Sequence, residues 1–361
     1  MKIVNLKNTN MKSAIAQAAG CLRSGGLVIY PTETVYGAGV DAASQQAVNK
    51  LLTYKSRREG KPLSIAVNGR KMAADYVNLN PQAEQLYQQF LPGPYTIISE
   101  SKAQLAQGVA SEFGTLGVRW PDHPVILKLV KALGRPITAT SANASGKKRP
   151  YTIDDILNNL SKKQQNLIDL VLDAGRLKKN PPSTVIDTTF STPITVRQAG
   201  KKHSADIKLA SNSEQETKQI AGKLMLKYWQ MIKEQGLAIG LNGQLGAGKT
   251  IFAKGIADFL KISQTVTSPT YTYIKEYPYQ RHQTKGNFYH LDMWKIDSKP
   301  QLETLELPQL LRPNNLAAIE WWSQIESFAQ LSSVPLITIN FEVESAHKRK
   351  LLVKEQIKPQ S

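Results

Sequence analysis

Two α/β domains in one chain are what this sequence predicts, and three observations predict them. Apolar runs of strand length alternate with segments of helical spacing along most of the 361 residues, as strands interleaved with helices do. The stretch GQLGAGKT, Gly243 to Thr250, lies between one such run and one such helix. Residues 201–212 show no periodicity and separate two halves that share no repeat. The expected organisation is an α/β domain over 1–200 with a mixed, twisted sheet, a linker over 201–212, and a second α/β domain over 213–361 built around GQLGAGKT.

In the first half, Met11, Ile15, Ala18, Ala19 and Leu22 recur at helical spacing until Gly25–Gly26. Leu27 to Tyr30 reads as a buried strand, followed by the polar loop Pro31 to Gly37. Helical spacing returns from Ala47 to Leu52, and Leu63 to Val67 reads as a strand. Pro81 to Phe90 and Pro124 to Leu133 read as helices with proline in the first turn. Tyr95 to Ile98, Leu116 to Trp120, Pro136 to Thr140, Ser183 to Thr189 and Ile194 to Arg197 read as strands. The polar residues of interest mostly fall at strand ends or in loops after strands, where open α/β sheets place their ligands.

In the second half, Ser213-Glu-Gln-Glu216 is a capping-box pattern for a helix reaching about Glu234. Leu237 to Leu241 is the strand before GQLGAGKT, and Ile251, Phe252, Ile256, Phe259 and Leu260 mark the helix after it. Thr265–Val266 is strand-like. Tyr271 to Tyr277 and Asn287 to Leu291 read as strands separated by a polar loop, Pro278 to Gly286. Leu316 to Ile319, Val334 to Phe341 and Lys350 to Ile357 complete the set of strands.

Hydrophobic residues make up 41% and charged residues 20%, ordinary values for a globular chain. No apolar run approaches the roughly 20 residues of a membrane span, so no membrane role is expected. The segment MKIVNLKNTNMKS lacks the apolar core of a signal peptide. The single cysteine, Cys21, excludes an internal disulfide and fits a reducing cytoplasm, as a buried structural thiol. The net charge of +18 suits polyanionic ligands without choosing among them.

GQLGAGKT satisfies G-x-x-x-x-G-K-[ST] in the strand–loop–helix setting that a P-loop requires. Phosphate is strongly hydrated, so its site must offer many aligned donors. Gly243, Gly246, Ala247 and Gly248 supply turned-in backbone N–H groups, and the following helix adds its positive end. Lys249 is expected on the β/γ-phosphates and the Thr250 hydroxyl on Mg²⁺. Asp292 and Glu320 end two strands at the edge where this loop opens. Each is a candidate to bind metal, directly or through water, or to orient an attacking water. Thr267-Ser-Pro-Thr270 offers hydroxyls to a γ-phosphate. His290 sits inside a strand pattern and is read as a satisfied side chain or a small adjunct.

GQLGAGKT, VTSPTY, FYHLDMW and AIEWW, in this order over about 213–345, resemble TsaE, the small ATPase of bacterial threonylcarbamoyladenosine synthesis. The resemblance implies ATP and Mg²⁺ as ligands, with Lys249 on phosphate and with Thr250, Asp292 and Glu320 serving metal and hydrolysis. It implies Trp321 against the nucleotide, and TsaD and TsaB as partners that act on tRNA. Lys295 stands where the family usually has an arginine.

In the first half, PTETVYG, KSRREGKPL, GVRWPDHP, TSANASG and PSTVID over about 10–200 resemble the YrdC-like threonylcarbamoyl-AMP synthases. That family joins L-threonine, bicarbonate and ATP, releasing pyrophosphate. Charge builds on the phosphates as pyrophosphate leaves, so cations placed in advance are the main requirement. Lys55, Arg57 and Lys61 are spaced like a triphosphate clamp. Ser141 and Asn143 can donate to phosphate or adenine, and Arg119 can pair in two-pronged fashion with the threonine carboxylate. Thr32, Thr34, Thr140 and Ser183 are small hydroxyls suited to an amino-acid pocket. Arg197 matches the family's final ATP-contacting arginine. Two departures are KSRR for the usual Lys-Gly-Arg-Pro, and no histidine near Val67.

The reading is a bifunctional cytoplasmic protein: a nucleotidyltransferase fused to a P-loop ATPase. Its rivals are an RNA-binding protein with an attached ATPase, suggested by the basic first half, and a small-molecule kinase.

Overall fold

The computed structural model describes residues 1–56, 62–144, 147–199, 206–269, 272–327, 329 and 334–356. It divides into two units, Met1–Thr189 with Pro193–Lys202, and Phe190–Thr192 with His203–Ser361.

The strands of the first unit are β1 (Lys2–Asn5), β2 (Val28–Tyr30), β3 (Gly37–Gly39), β4 (Ser64–Ala66), β5 (Val77–Asn78) and β6 (Tyr95–Ser101). They continue with β7 (Thr115–Arg119), β8 (Ile137–Ser141), β9 (Leu170–Asp173), β10 (Thr184–Asp187) and β11 (Ile194–Arg197). Among the described residues they form one mixed sheet in the order β1-β9-β2-β3-β8-β4-β7-β6-β10-β11, with β5 on β6. The alternation of β2 divides the core. Val28 and Tyr30 pack with the helices Met11–Arg23 and Pro124–Leu133, whereas Ile29 packs with the helix Gln45–Tyr54 on the other side.

The expected helices over 11–22, 81–90 and 124–133 form with ends at or within one residue of those positions. Three features lie outside what periodicity signals. Strands β1 and β9 are four residues each and pair in parallel at the sheet edge. Strand β3 is Gly-Ala-Gly, a sequence of no strand propensity. Its glycines are dictated by a neighbour, since a Cβ at Gly37 or Gly39 would lie 2.7 Å from the Tyr30 ring.

In the second unit the strands are β12 (Ile207–Ser211), β13 (Leu237–Asn242), β14 (Ile274–Arg281), β15 (Thr284–Asp292), β16 (Leu316–Glu320), β17 (Leu336–Val343) and β18 (Arg349–Gln356). Their order is β12-β18-β17-β13-β16-β15-β14. Strand β13 is parallel to β16 and β17, and β15 is parallel to β16. Strand β13 is buried for five of its six residues, as a central parallel strand must be. Helices Glu214–Gln235 and Lys249–Leu260 pack against each other, Gly255 lying against the Lys218 backbone.

Four expectations are corrected here. The stretch expected as a linker contains β12, paired antiparallel with β18. Its alternation of buried Ile207, Leu209 and Ser211 is too short to stand out from the polar residues around it. Pro278 to Gly286 is not a loop. Strands β14 and β15 run through it as a hairpin turning at His282–Gln283. Tyr277, Tyr279 and Arg281 point inward there, and Pro278 is tolerated because β14 is an edge strand. Thr265–Val266 is irregular backbone, without a ladder partner. The capping box is half made. Ser213 accepts from the Glu216 N–H, but the Glu216 carboxylate takes the N–H of Asn212 instead of that of Ser213.

Candidate functional site

In the first unit the predicted residues gather in three clusters. The first is the Pro31–Gly37 loop. Thr32 Oγ1 accepts from the Thr34 and Val35 N–H groups at 3.1 and 3.2 Å and donates to the Val35 carbonyl at 2.6 Å. Its hydroxyl therefore folds the loop, and Thr34 stands beside it with the two oxygens 3.1 Å apart. Arg119, at the carboxyl end of β7, is paired with Glu33 at 2.5 Å and reaches Thr34 Oγ1 at 3.5 Å. Glu33 lies inside PTETVYG, and the sequence alone does not single it out as a site residue. A carboxylate between two threonines carries no local sign of a partner 86 residues away. Arg119 Nε and Glu33 Oε2 are buried without a hydrogen-bond partner among the described residues.

The second cluster joins the Gln45–Tyr54 helix to the loop after β8. Lys55, 4% exposed, donates to the carbonyls of Ser141 at 2.7 Å and Asn143 at 2.5 Å. Asn143 donates to the Lys147 carbonyl at 2.5 Å, and its Oδ1 is buried without a partner among the described residues. Thr140 immediately precedes Ser141 in β8, opposite Ala38. Arg57 and Lys61 lie outside the described residues.

The third cluster precedes β10. Ser183 is buried and lies 3.2 Å from Thr96 Oγ1. Arg197 donates to the Ser183 hydroxyl at 2.8 Å and to its carbonyl at 3.0 Å. Burial, with smaller contributions from Arg119 and Arg149, lowers the Arg197 pKa from its ordinary value. The positive charge that Arg119 and Arg149 add around Arg197 makes a local field suited to an anion. Ser183 lies at the amino end of its strand. β10 is parallel to β6, and β6 is antiparallel to β7, so this end comes to the carboxyl end of β7 and to Arg119.

In the second unit, parallel pairing of β13, β16 and β15 brings three carboxyl ends into line. Leu241 lies opposite Glu320, and Asp292 lies opposite Glu320 from the other side. The loop follows with Gly243, Gly246 and Gly248 all at positive φ, 149°, 73° and 108°, which glycine alone adopts freely. Ala247 is buried between them, and Arg349 of β18 donates to its carbonyl at 3.2 Å. Lys249 donates to the carbonyls of Gly243 at 2.7 Å and Gln244 at 3.0 Å. Its ammonium lies 3.8 Å from the centre of the Trp321 ring. Burial lowers the Lys249 pKa, against the opposing influence of Glu320 and Asp292. Trp321 in turn packs on the half-exposed Trp294, their ring centres 4.5 Å apart.

Thr250 donates to Glu320 Oε1 at 2.8 Å. A hydroxyl whose proton goes to a carboxylate turns its lone pairs outward, free for a cation. Asp292 accepts from Ser268 Oγ at 2.9 Å and from the Trp294 N–H at 3.1 Å. Thr267 holds Lys275 at 2.5 Å, whereas Thr270 lies outside the described residues. The donors are two carboxylates and a hydroxyl, the hard oxygen set that Mg²⁺ prefers, with room in its octahedron for phosphate and water. His290, fully buried, has Nε2 2.8 Å from Glu320 Oε1. Through Nε2 it is a satisfied side chain, as its strand setting suggests, and its partner is one of the candidate carboxylates.

Comparison with known proteins finds two family models in succession. The Sua5/YciO/YrdC model, described as "Telomere recombination", matches residues 20–199. The model of "Threonylcarbamoyl adenosine biosynthesis protein TsaE" matches residues 211–351. A threonylcarbamoyl-AMP synthase of Vibrio vulnificus is 34% identical over 186 residues, which span 49% of this chain and 95% of that protein. One of Pyrococcus abyssi is 34% identical over 199 residues, spanning 55% of this chain and 57% of that protein. The crystal structure of P. abyssi Sua5 complexed with L-threonine superposes with a TM-score of 0.51 at 25% identity, covering 69% of this chain and 82% of that one. The chain therefore belongs to the Sua5/YciO/YrdC family of threonylcarbamoyl-AMP synthases, and carries a TsaE domain in the same polypeptide.

Proposed function

We propose that the first unit forms L-threonylcarbamoyl-AMP and pyrophosphate from L-threonine, bicarbonate and ATP, and that the second hydrolyses ATP to support a TsaD/TsaB complex modifying tRNA in the cytoplasm. The observation that carries the first half is the convergence of Arg119, Thr34 and Glu33 in one buried polar cluster within a chain of this family.

The chemistry asks for little beyond positioning and charge. The threonine amine captures the carboxyl carbon of bicarbonate to give a carbamate, with loss of water. A carbamate oxygen then attacks the α-phosphorus, and the bond to the pyrophosphate oxygen breaks. Arg119 would exchange Glu33 for the substrate carboxylate. Lys55 and Arg197 would stabilise charge on the phosphates, with Arg57 and Lys61 completing the clamp. Ser141 and Asn143 would donate to phosphate or adenine. Thr32, Thr140 and Ser183 would shape the amino-acid pocket.

In the second unit, Lys249 would leave its two carbonyls for the β/γ-phosphates, while Gly243, Gly246, Ala247 and Gly248 cradle them. Thr250, with Asp292 and Glu320 directly or through water, would hold Mg²⁺, which when bound neutralises phosphate charge. Trp321 would lie against the nucleotide.

The deciding experiment measures pyrophosphate release by the full chain. Release should require both L-threonine and bicarbonate, and should persist in Lys249→Ala while phosphate release disappears. Pyrophosphate release that ignores threonine would overturn the reading of the first unit. Phosphate release unaffected by Lys249→Ala would overturn that of the second.

A further inference from the structure

His290 occupies a position that packing alone does not explain. It lies two residues before Asp292 on β15, so both side chains share one face of the strand. Asp292 is in register with Glu320 on parallel β16, which puts Glu320 on that face as well. The imidazole is fully buried and stacks on Phe288 at an interplanar angle of 12°. A hydrocarbon ring would fill this space without bringing nitrogens into it. One of those nitrogens, Nδ1, is buried without a hydrogen-bond partner among the described residues. The other, Nε2, is 2.8 Å from Glu320 Oε1.

The two oxygens of Glu320 are treated differently. Oε1 receives both Thr250 Oγ1 and His290 Nε2, each at 2.8 Å. Oε2 accepts no hydrogen bond among the described residues. An ionised carboxylate only accepts, so Nε2 is the donor in its contact with Oε1. Thr250 is a weak tether by itself, because its hydroxyl rotates about one bond and must also face the cation. The imidazole cannot rotate in this way, as Phe288 and the strand hold its plane.

Resting on the ATPase reading of the second unit, we propose that His290 is the positioning residue of that site: its Nε2–H pins Glu320 Oε1 against Thr250 and leaves Oε2 presented to the bound nucleotide and its attacking water. Outer partners of this kind commonly change activity or metal affinity by about 10–100-fold when removed.

The test uses the full chain with His290→Phe, which keeps an aromatic ring and loses the donor, and His290→Gln, which restores an N–H near the position of Nε2. The expected result is a kcat for ATP hydrolysis lowered about 10–100-fold in His290→Phe with KM little changed. His290→Gln should recover most of that loss. Both variants should keep wild-type affinity for ADP measured without Mg²⁺, which separates misplacement of Glu320 from collapse of the site. Hydrolysis by His290→Phe at the wild-type rate would overturn the proposal, as would equal losses in both variants. A second readout does not depend on hydrolysis. The ¹⁵N spectrum of the wild-type imidazole should show the Nε2–H tautomer, and the Nδ1–H tautomer would overturn the proposal. Absence of any ATP hydrolysis by the wild type would instead count against the ATPase reading, and the tautomer would still decide the role of His290.

Discussion

The Lys249 ammonium is held by two carbonyls of its own loop and lies over the Trp321 ring. A triphosphate must outcompete these contacts, and a charged hydrogen bond contributes about 1.5–3 kcal/mol. Removing the ammonium in Lys249→Ala should therefore weaken ATP binding by about 10–100-fold or more, measurable by calorimetry. Arg119 makes a parallel case in the first unit. Arg119→Lys keeps a positive charge beside Glu33 but loses the fork. It should raise the KM for L-threonine about tenfold or more while leaving that for ATP nearly unchanged, in steady-state pyrophosphate release. Cys21 is half-buried near Asp169, and burial first, then that carboxylate, raises its thiol pKa. Little thiolate forms near neutral pH, so iodoacetamide should modify the native chain several-fold more slowly than the unfolded one, a difference that narrows as pH rises toward the folded pKa.

At the scale of elements, the helices Glu214–Gln235 and Lys249–Leu260 of the second unit meet at Gly255. In an exposed helix, glycine to alanine is worth about 1 kcal/mol in stability. Here the added Cβ would lie 2.6 Å from Lys218 Cα and 2.7 Å from its carbonyl oxygen, both backbone atoms that cannot swing aside. The sign reverses, and Gly255→Ala should destabilise the second unit by about 1–3 kcal/mol, read as a lower thermal midpoint for its transition. The β14–β15 hairpin shows why sequence polarity misleads. Arg281 looks like a loop residue, yet it is 1% exposed, donates to the Phe259 carbonyl at 2.6 Å and lies 3.9 Å from the centre of the Phe259 ring. Its charge concealed the inward half of an alternation that Tyr277 and Tyr279 begin.

Over the whole molecule, two units of different topology each bring strand ends to a cluster of polar residues. The first does it with a mixed sheet, in which β6 and β10 run opposite to β7 and so bring Ser183, at the amino end of β10, to the carboxyl end of β7. The second does it with parallel strands, whose register brings Leu241, Glu320 and Asp292 into line. If the units act independently, Lys249→Ala should leave threonine-dependent pyrophosphate release within about twofold of wild type, and Arg119→Lys should leave ADP affinity of the second unit unchanged. No helix among the described residues is long and apolar enough to cross a membrane.

The sequence by itself determined the alternation of elements, the phosphate loop with its glycines, and the ordered motifs that carry the family resemblance. All of these are local, written in spacing and in residue types within a few positions of one another. Only the tertiary structure decided which partner each charged group takes. Glu33 and Arg119 are 86 residues apart in the chain, and His290 and Glu320 are 30 apart. No local pattern encodes such pairs. They exist because neighbouring strands, folded to bury their apolar faces, fix which polar ends must meet.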